Sequence, residues 1–330
     1  MFVIRSMTRV VSLSVALLVT AVVVMFAAAC SSADDSSDST VAPVVVNTSS
    51  GSVEIKNIPK RVVTLGSQWT DVMLALGVTP VAYVDNVEMQ TKSPAPWVGD
   101  KLKDAQSIDP GGDLVAQVAK ANPDLILAPG FGAEPDTLTK LKQLAPTIPS
   151  ITGAQVDPWE DMVTLGGTIM RTPDKAKSVI AGVNDKVDGV KKANPGLAGK
   201  TFTLAYMYSA DQIQVFGDPT DGAAALFTRL GMRIPDNLVA TAKKQNQPRF
   251  PVSVENVPQL NSDLLAITAQ TDDLKAKLQA LPGYKNLDSV RKGAVAFLSV
   301  AEITGLNLPS PLSIPYVLDK VTPALEKAAA

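Results

Sequence analysis

Residues 173–193 of this 330-residue chain run as a single long helix-forming segment, and the rest of the fold has to be arranged around it. Thr172 is suited to the N-cap and Pro173 to the first helical position. Ala176, Val179, Ile180, Val183, Val187 and Val190 fall at i, i+3, i+4, i+7, i+11 and i+14, one apolar stripe. At about 1.5 Å per residue the helix is about 30 Å long, enough to reach from one lobe to another. Asn194-Pro195-Gly196 ends it.

On the N-terminal side, β-branched runs alternate with amphipathic stretches. The pattern predicts a strand over 61–65, a loop over 66–69, a helix over 70–76 stopped at Gly77, and a strand over 80–84. Helix 113–120, strand 123–128, helix 135–144, strand 148–151 and a helix over 160–170 follow. Beyond the long helix the alternation restarts with strand 202–205, a loop at 206–208, and helix 222–230 stopped at Gly231. Asn261-Ser262-Asp263-Leu264-Leu265-Ala266 echoes Asn122-Pro123-Asp124-Leu125-Ile126-Leu127. This order predicts two related α/β lobes with mainly parallel sheets, joined by one bridging helix.

The start of the chain has a different character. Arg5 and Arg9 precede an apolar run over 10–26, and Ala27-Ala28-Ala29 leads into Cys30, the single cysteine. This is the layout of an exported bacterial lipoprotein. An uncharged run of about 20 residues is also long enough to anchor a chain across a bilayer. The lone cysteine after three alanines, followed by the polar stretch 31–40, favours cleavage before Cys30 and lipid on its sulfur. The expected organisation is a signal peptide (1–29), lipidated cysteine and flexible linker (30–50), N-terminal lobe (51–172), bridging helix (173–195) and C-terminal lobe (196–330). Folding is expected to begin near Val53, with the body at the extracytoplasmic face of the cell membrane.

Composition removes whole classes of chemistry. The chain has no histidine, so Ser-His-Asp hydrolysis and His-ligated zinc or haem are excluded. A lipidated Cys30 leaves no thiol for disulfides or catalysis. Gly130-Phe131-Gly132 lacks the third glycine of a dinucleotide loop, and no phosphate-cradling Gly-Lys-Ser/Thr pattern occurs. A formal net charge of −2, about −4 without residues 1–29, gives no sign of a nucleic-acid partner.

In open α/β sheets ligands bind outside the carboxyl ends of the strands, and two lobes face to face make a cleft there. The predicted strand exits carry Ser67, Gln68, Trp69, Asp85, Asn86 and Phe131 in the first lobe, with Trp97 and Trp159 in longer irregular stretches. The second lobe supplies Tyr206, Tyr208, Arg249 and Phe250. Aromatics are only 5% of the chain, yet all three tryptophans are among these residues. They suit a partly polar, ring-bearing ligand, and each equally suits a residue covering its own lobe's core. Arg249, in a polar stretch over 243–251 that reads as a loop, offers a fork for a carboxylate or the oxyanions of a chelated metal.

Four segments carry a family likeness. Ile58-Pro59-Lys60-Arg61-Val62-Val63 is followed by Leu74-Ala75-Leu76-Gly77-Val78-Thr79-Pro80-Val81; Ala121-Asn122-Pro123-Asp124-Leu125-Ile126-Leu127-Ala128 comes next; Ser310-Pro311-Leu312-Ser313-Ile314-Pro315-Tyr316 lies near the end. In this order and spacing the chain resembles the class III (cluster A) substrate-binding proteins of ABC importers, from about Val53 to Leu325. These carry ferric siderophores, haem or cobalamin. The resemblance implies two Rossmann-like lobes, a ligand cleft between them, small hinge motion, no catalysis and no resident cofactor. It also implies that a monomer delivers its ligand to a membrane permease coupled to an ATPase. One surface glutamate per lobe faces the permease in such proteins: Glu255 matches in the second lobe, whereas Ala116 holds the matching position in the first, with Asp113 nearby. A ferric siderophore is the expected ligand, because the chelator fills the iron's coordination sphere and no protein ligand is needed. Haem, with Tyr206 or Tyr208 as axial ligand, is the alternative; cobalamin and an envelope enzyme stand behind it.

Overall fold

Two five-stranded sheets lie on either side of the helix Pro173–Ala193 in chain order, in a computed structural model that describes residues 42–130 and 134–330. Cys30, the leader and Phe131 therefore lie outside the described residues. The first sheet has the spatial order Gln106–Ser107, Ala82–Tyr83, Val62–Thr64, Leu125–Leu127, Thr147–Ile148, with every pairing parallel. Its inner strands are buried at every position, as a sheet covered on both faces requires. The second sheet runs Arg249–Ser253, Gln212–Phe216, Phe202–Met207, Leu264–Ala269, Val295–Leu298. The last three strands are parallel, while the first two pair antiparallel.

The two lobes repeat each other in detail. Asp124 accepts hydrogen bonds from the backbone N–H groups of Lys60 and Arg61, at 2.7 and 2.8 Å, just before strand Val62–Thr64. Asp263 accepts from the Thr201 backbone and hydroxyl, at 2.9 Å each, just before Phe202–Met207. Each aspartate pins the strand beside its own. Gly77 and Gly231, at φ 89° and 93°, end equivalent helices in the left-handed conformation that glycine adopts without steric cost.

The bridging helix matches its predicted span. It buries Ala176, Val183 and Val187 and leaves most other positions to solvent. Against the helix Trp159–Ile169 it approaches so closely that a Cβ at Gly167 would meet Ala176 Cβ at 2.5 Å. At the C-terminal helix Ser313–Ala329, Lys186 donates to Asp319 at 2.6 Å and to the Pro315 carbonyl at 3.1 Å.

Four expectations need correction, the first being the loop at 206–208, because Tyr206 and Met207 continue the strand Phe202–Met207. The folded body begins before Val53, with a hairpin of Val44–Thr48 and Gly51–Ile55 that buries Val46 and Ile55. Ser67, Gln68 and Trp69 are the first turn of a helix, Ser67–Ala75, rather than a loop. Arg249 and Phe250 open a strand, because the polar stretch before them is largely the end of helix Asp236–Gln245.

The lobes meet through a buried carboxyl group. Asp71, 2% exposed on helix Ser67–Ala75, accepts from the Ser310 hydroxyl at 2.5 Å and from Trp97 Nε1 at 2.8 Å. Nearby, Gln68 donates to the Pro309 carbonyl at 2.7 Å. The Trp97 ring packs on Tyr316, 5.6 Å between centroids, and fits only because residue 305 is glycine: a Cβ there would meet Trp97 at 2.6 Å. Burial pushes the Asp71 carboxyl up to about 7, against the opposing pull of the Ser310 and Trp97 hydrogen bonds. The folded state thus keeps a proton that the unfolded chain releases near its ordinary value of 3.8. Stability therefore falls as pH rises between these two values and stays lowered above them. With no histidine in the chain, few other side chains titrate in the upper half of this window. The melting temperature of the wild type is expected to fall from pH 5 to pH 8, and Asp71→Asn to flatten that slope; equal slopes in the two proteins would refute this.

Candidate ligand cleft

A cleft of about 1080 Å³ opens between the lobes, just above the usual range for small-molecule sites, roughly 300–1,000 Å³. The first lobe lines it with Asn86, Gln90, Gln155 and Val156. Asn86 opens the helix Asn86–Thr91 that follows strand Ala82–Tyr83, and Gln155 lies in the segment after Thr147–Ile148. These are carboxyl ends of parallel strands, where the open-sheet rule places ligands. The second lobe adds Gln214, Asp218, Thr220, Asp221, Asn246, Gln247 and Arg249, together with Thr304, Asn307 and Leu308 from the region after Val295–Leu298.

Seven of these side chains are amides: Asn86, Gln90, Gln155, Gln214, Asn246, Gln247 and Asn307. Each carries both donors and an acceptor. Arg249 is the one cation among the described lining residues, and Asp218 and Asp221 are the two acids. Arg249 donates from Nε and Nη2 to the two Asp221 oxygens at 2.7 and 2.8 Å, and its guanidinium lies 4.2 Å from the Phe216 ring centroid. Asp221 also accepts from the Ala223 backbone N–H, capping the short helix Gly222–Ala224. The expected fork toward a ligand is thus already taken up within the protein, and the cation is locally neutralised.

The other expected residues separate into groups. Tyr206 stands opposite Gln214, which stands opposite Pro251. Directly paired residues share a face, and Gln214 and Pro251 line the cleft, so the register brings Tyr206 to the same wall. Burial raises the Tyr206 phenol above its usual range. Tyr208 is 39% exposed, with its hydroxyl donating to Gln212 at 2.7 Å and its ring 6.2 Å from that of Tyr206. Trp69 and Phe250 are corrected to core residues, 0% and 1% exposed. Ser67 and Asp85 turn inward: Asp85 accepts from the Ser67 hydroxyl and from the Val87 and Ala95 backbones, capping Asn86–Thr91. Gln68 and Trp97 belong to the lobe junction. Trp159 is buried behind the cleft, at 7% exposure.

Of the cleft amides, Asn86 is a predicted strand-exit residue and Asn246-Gln247 lie in the polar stretch before Arg249; the others carry no sequence signal, because isolated Asn and Gln form no pattern. Asp221→Ala is expected to lower stability by about 2 kcal/mol, because it strands a half-buried guanidinium and removes a cap. Combining it with Arg249→Ala should recover part of that loss in a double-mutant cycle measured by denaturant unfolding, and strictly additive losses would show that the pair is uncoupled.

Comparison with known proteins agrees with this architecture. A family described as periplasmic binding protein matches residues 62–300. The iron(3+)-hydroxamate-binding protein YxeB of Bacillus subtilis is 29% identical over 294 residues, covering 84% of each chain. A periplasmic solute-binding protein from Mycobacterium smegmatis superposes with a TM-score of 0.70 at 25% identity, over 87% of this chain and 99% of that one. Staphylococcus aureus SirA, solved with staphyloferrin B, gives a TM-score of 0.70 at 24% identity, over 86% and 98%.

Proposed function

We propose, since this chain belongs to the periplasmic binding protein family, that it is the receptor of an ABC importer and captures a ferric hydroxamate siderophore in the inter-lobe cleft. The observation that carries this reading is the cleft wall, in which amides predominate and the guanidinium is neutralised by Asp221. Iron(III) held by three hydroxamates is uncharged at its centre and offers a shell of carbonyl and N–O oxygens, which amide donors match. A tris-catecholate complex carries three negative charges and would face Asp218 and Asp221. The hydroxamate named for YxeB supports the same choice. The ligand is released unaltered, so the chain acts as a carrier and not as an enzyme.

A lipid on Cys30 would keep the receptor at the membrane, where a short tether raises its effective concentration beside the permease. Glu255 and Asp113 are both exposed and serve as the charged contacts to that permease, one on each lobe.

Calorimetric titration with a ferric trihydroxamate, a ferric tris-catecholate and a ferric carboxylate chelate tests the ligand. Saturable binding of the hydroxamate, at least 100-fold tighter than the catecholate, with the chelate recovered at unchanged mass, is the expected result. The reverse ranking, or no saturable binding, would sink the reading. Charge reversal at both Glu255 and Asp113 is expected to slow uptake of labelled chelate by cells at least tenfold while leaving the purified receptor's Kd unchanged; normal uptake would remove these residues from the contact.

A further inference from the structure

Behind the cleft lies a second cavity of about 340 Å³, where both lobes and the bridging helix meet. Trp159 of the first lobe, Val183 and Val187 of the bridging helix, and Leu226, Leu306 and Ile314 of the second lobe make its walls apolar. Polar groups also line it: Arg229 is held by Asn184 and, at 3.2 Å, by Asp188 outside the lining, Asp157 is bonded to the Thr152 hydroxyl, and Thr220 to Asp218, while burial raises the Glu160 carboxyl above its usual range. Val156, Thr220 and Gly222 belong to both the cavity and the cleft. Gly222 has no side chain to stand between the two spaces that it lines.

Apolar walls of this kind gain free energy when an apolar group covers them. Such walls also offer water few groups to bond. The amide-lined cleft and the apolar cavity together describe a ligand with two chemistries. We propose that the cavity takes the alkyl arm of an amphiphilic ferric hydroxamate whose iron centre occupies the cleft; this rests on the siderophore reading above. The arm passes Gly222 and lies against Trp159, Val187 and Leu226. Each methylene it buries is worth about fourfold in affinity.

Ferric N-octanoyl-desferrioxamine B and its N-acetyl counterpart share the same head and charge and differ only in the arm. The octanoyl complex is expected to bind the full mature protein at least tenfold tighter than the acetyl complex. Ala225 lines the cavity without lining the cleft and is exposed, so Ala225→Phe fills the space at little cost to folding, which a melting curve checks. That variant should reduce the octanoyl advantage below twofold while the acetyl Kd stays within twofold of wild type, and Ala225→Leu should give an intermediate loss. Equal affinity for the two complexes in the wild type overturns the assignment and leaves the cleft reading intact. An advantage that survives Ala225→Phe, or equal weakening of both complexes, also overturns it, since the arm then lies elsewhere or the cavity only supports the cleft. If neither complex binds, the siderophore reading itself fails and this assignment with it.

Discussion

Everything about the cleft depends on how firmly its two walls are held together, and a carboxyl group shut away from water does much of that holding. Asp71 comes from the first lobe and the Ser310 hydroxyl from the second, with Trp97 as a second donor to the same oxygen. Ser310 in turn accepts from the backbones of Leu312 and Ser313 at the entry to the last helix. One hydroxyl thus starts a helix and closes the lobe junction together. A polar group buried this deeply is costly unless every bond is made, so the junction favours one relative placement of the lobes over others nearby. Gly305 completes it by leaving room for the Trp97 ring.

The same junction sets the spacing of the cleft's two walls. The amides that line it are borne by helix starts and strand ends on both sides, so their separation is set by the junction and not by the ligand alone. Arg249 shows the same economy. A free guanidinium would favour anionic chelates, but Asp221 holds it in a bidentate pair that is also a helix cap, and the cleft is left polar without being basic. The bridging helix passes behind both spaces and contributes Val183 and Val187 to the apolar one.

Much of the architecture was legible in residue order, and the reasons are local. The span 173–193 announced itself through proline at its start, an apolar stripe and a Pro-Gly stop. The paired signals Gly77/Gly231 and Asp124/Asp263 were legible because each does a job that few residues can do: a left-handed helix end, or a carboxylate pinning the start of the neighbouring strand. The hairpin at 44–55 and the antiparallel strand Gln212–Phe216 were not legible, since their short alternating runs resemble linker and loop until a partner strand is known.

Aromatic residues illustrate the division most clearly. Sequence by itself determined the class of fold, the number of lobes and the helix between them, because periodicity, caps and breakers act over a few residues. Which side chains face the cleft was decided only by tertiary structure. Trp69 and Phe250 were equally compatible with a binding wall and a core, and the packing of each lobe's sheet against its helices sent both inward. The cleft went instead to scattered amides far apart in the chain, which become a surface only when strand register and a buried carboxyl bring two lobes to a fixed distance.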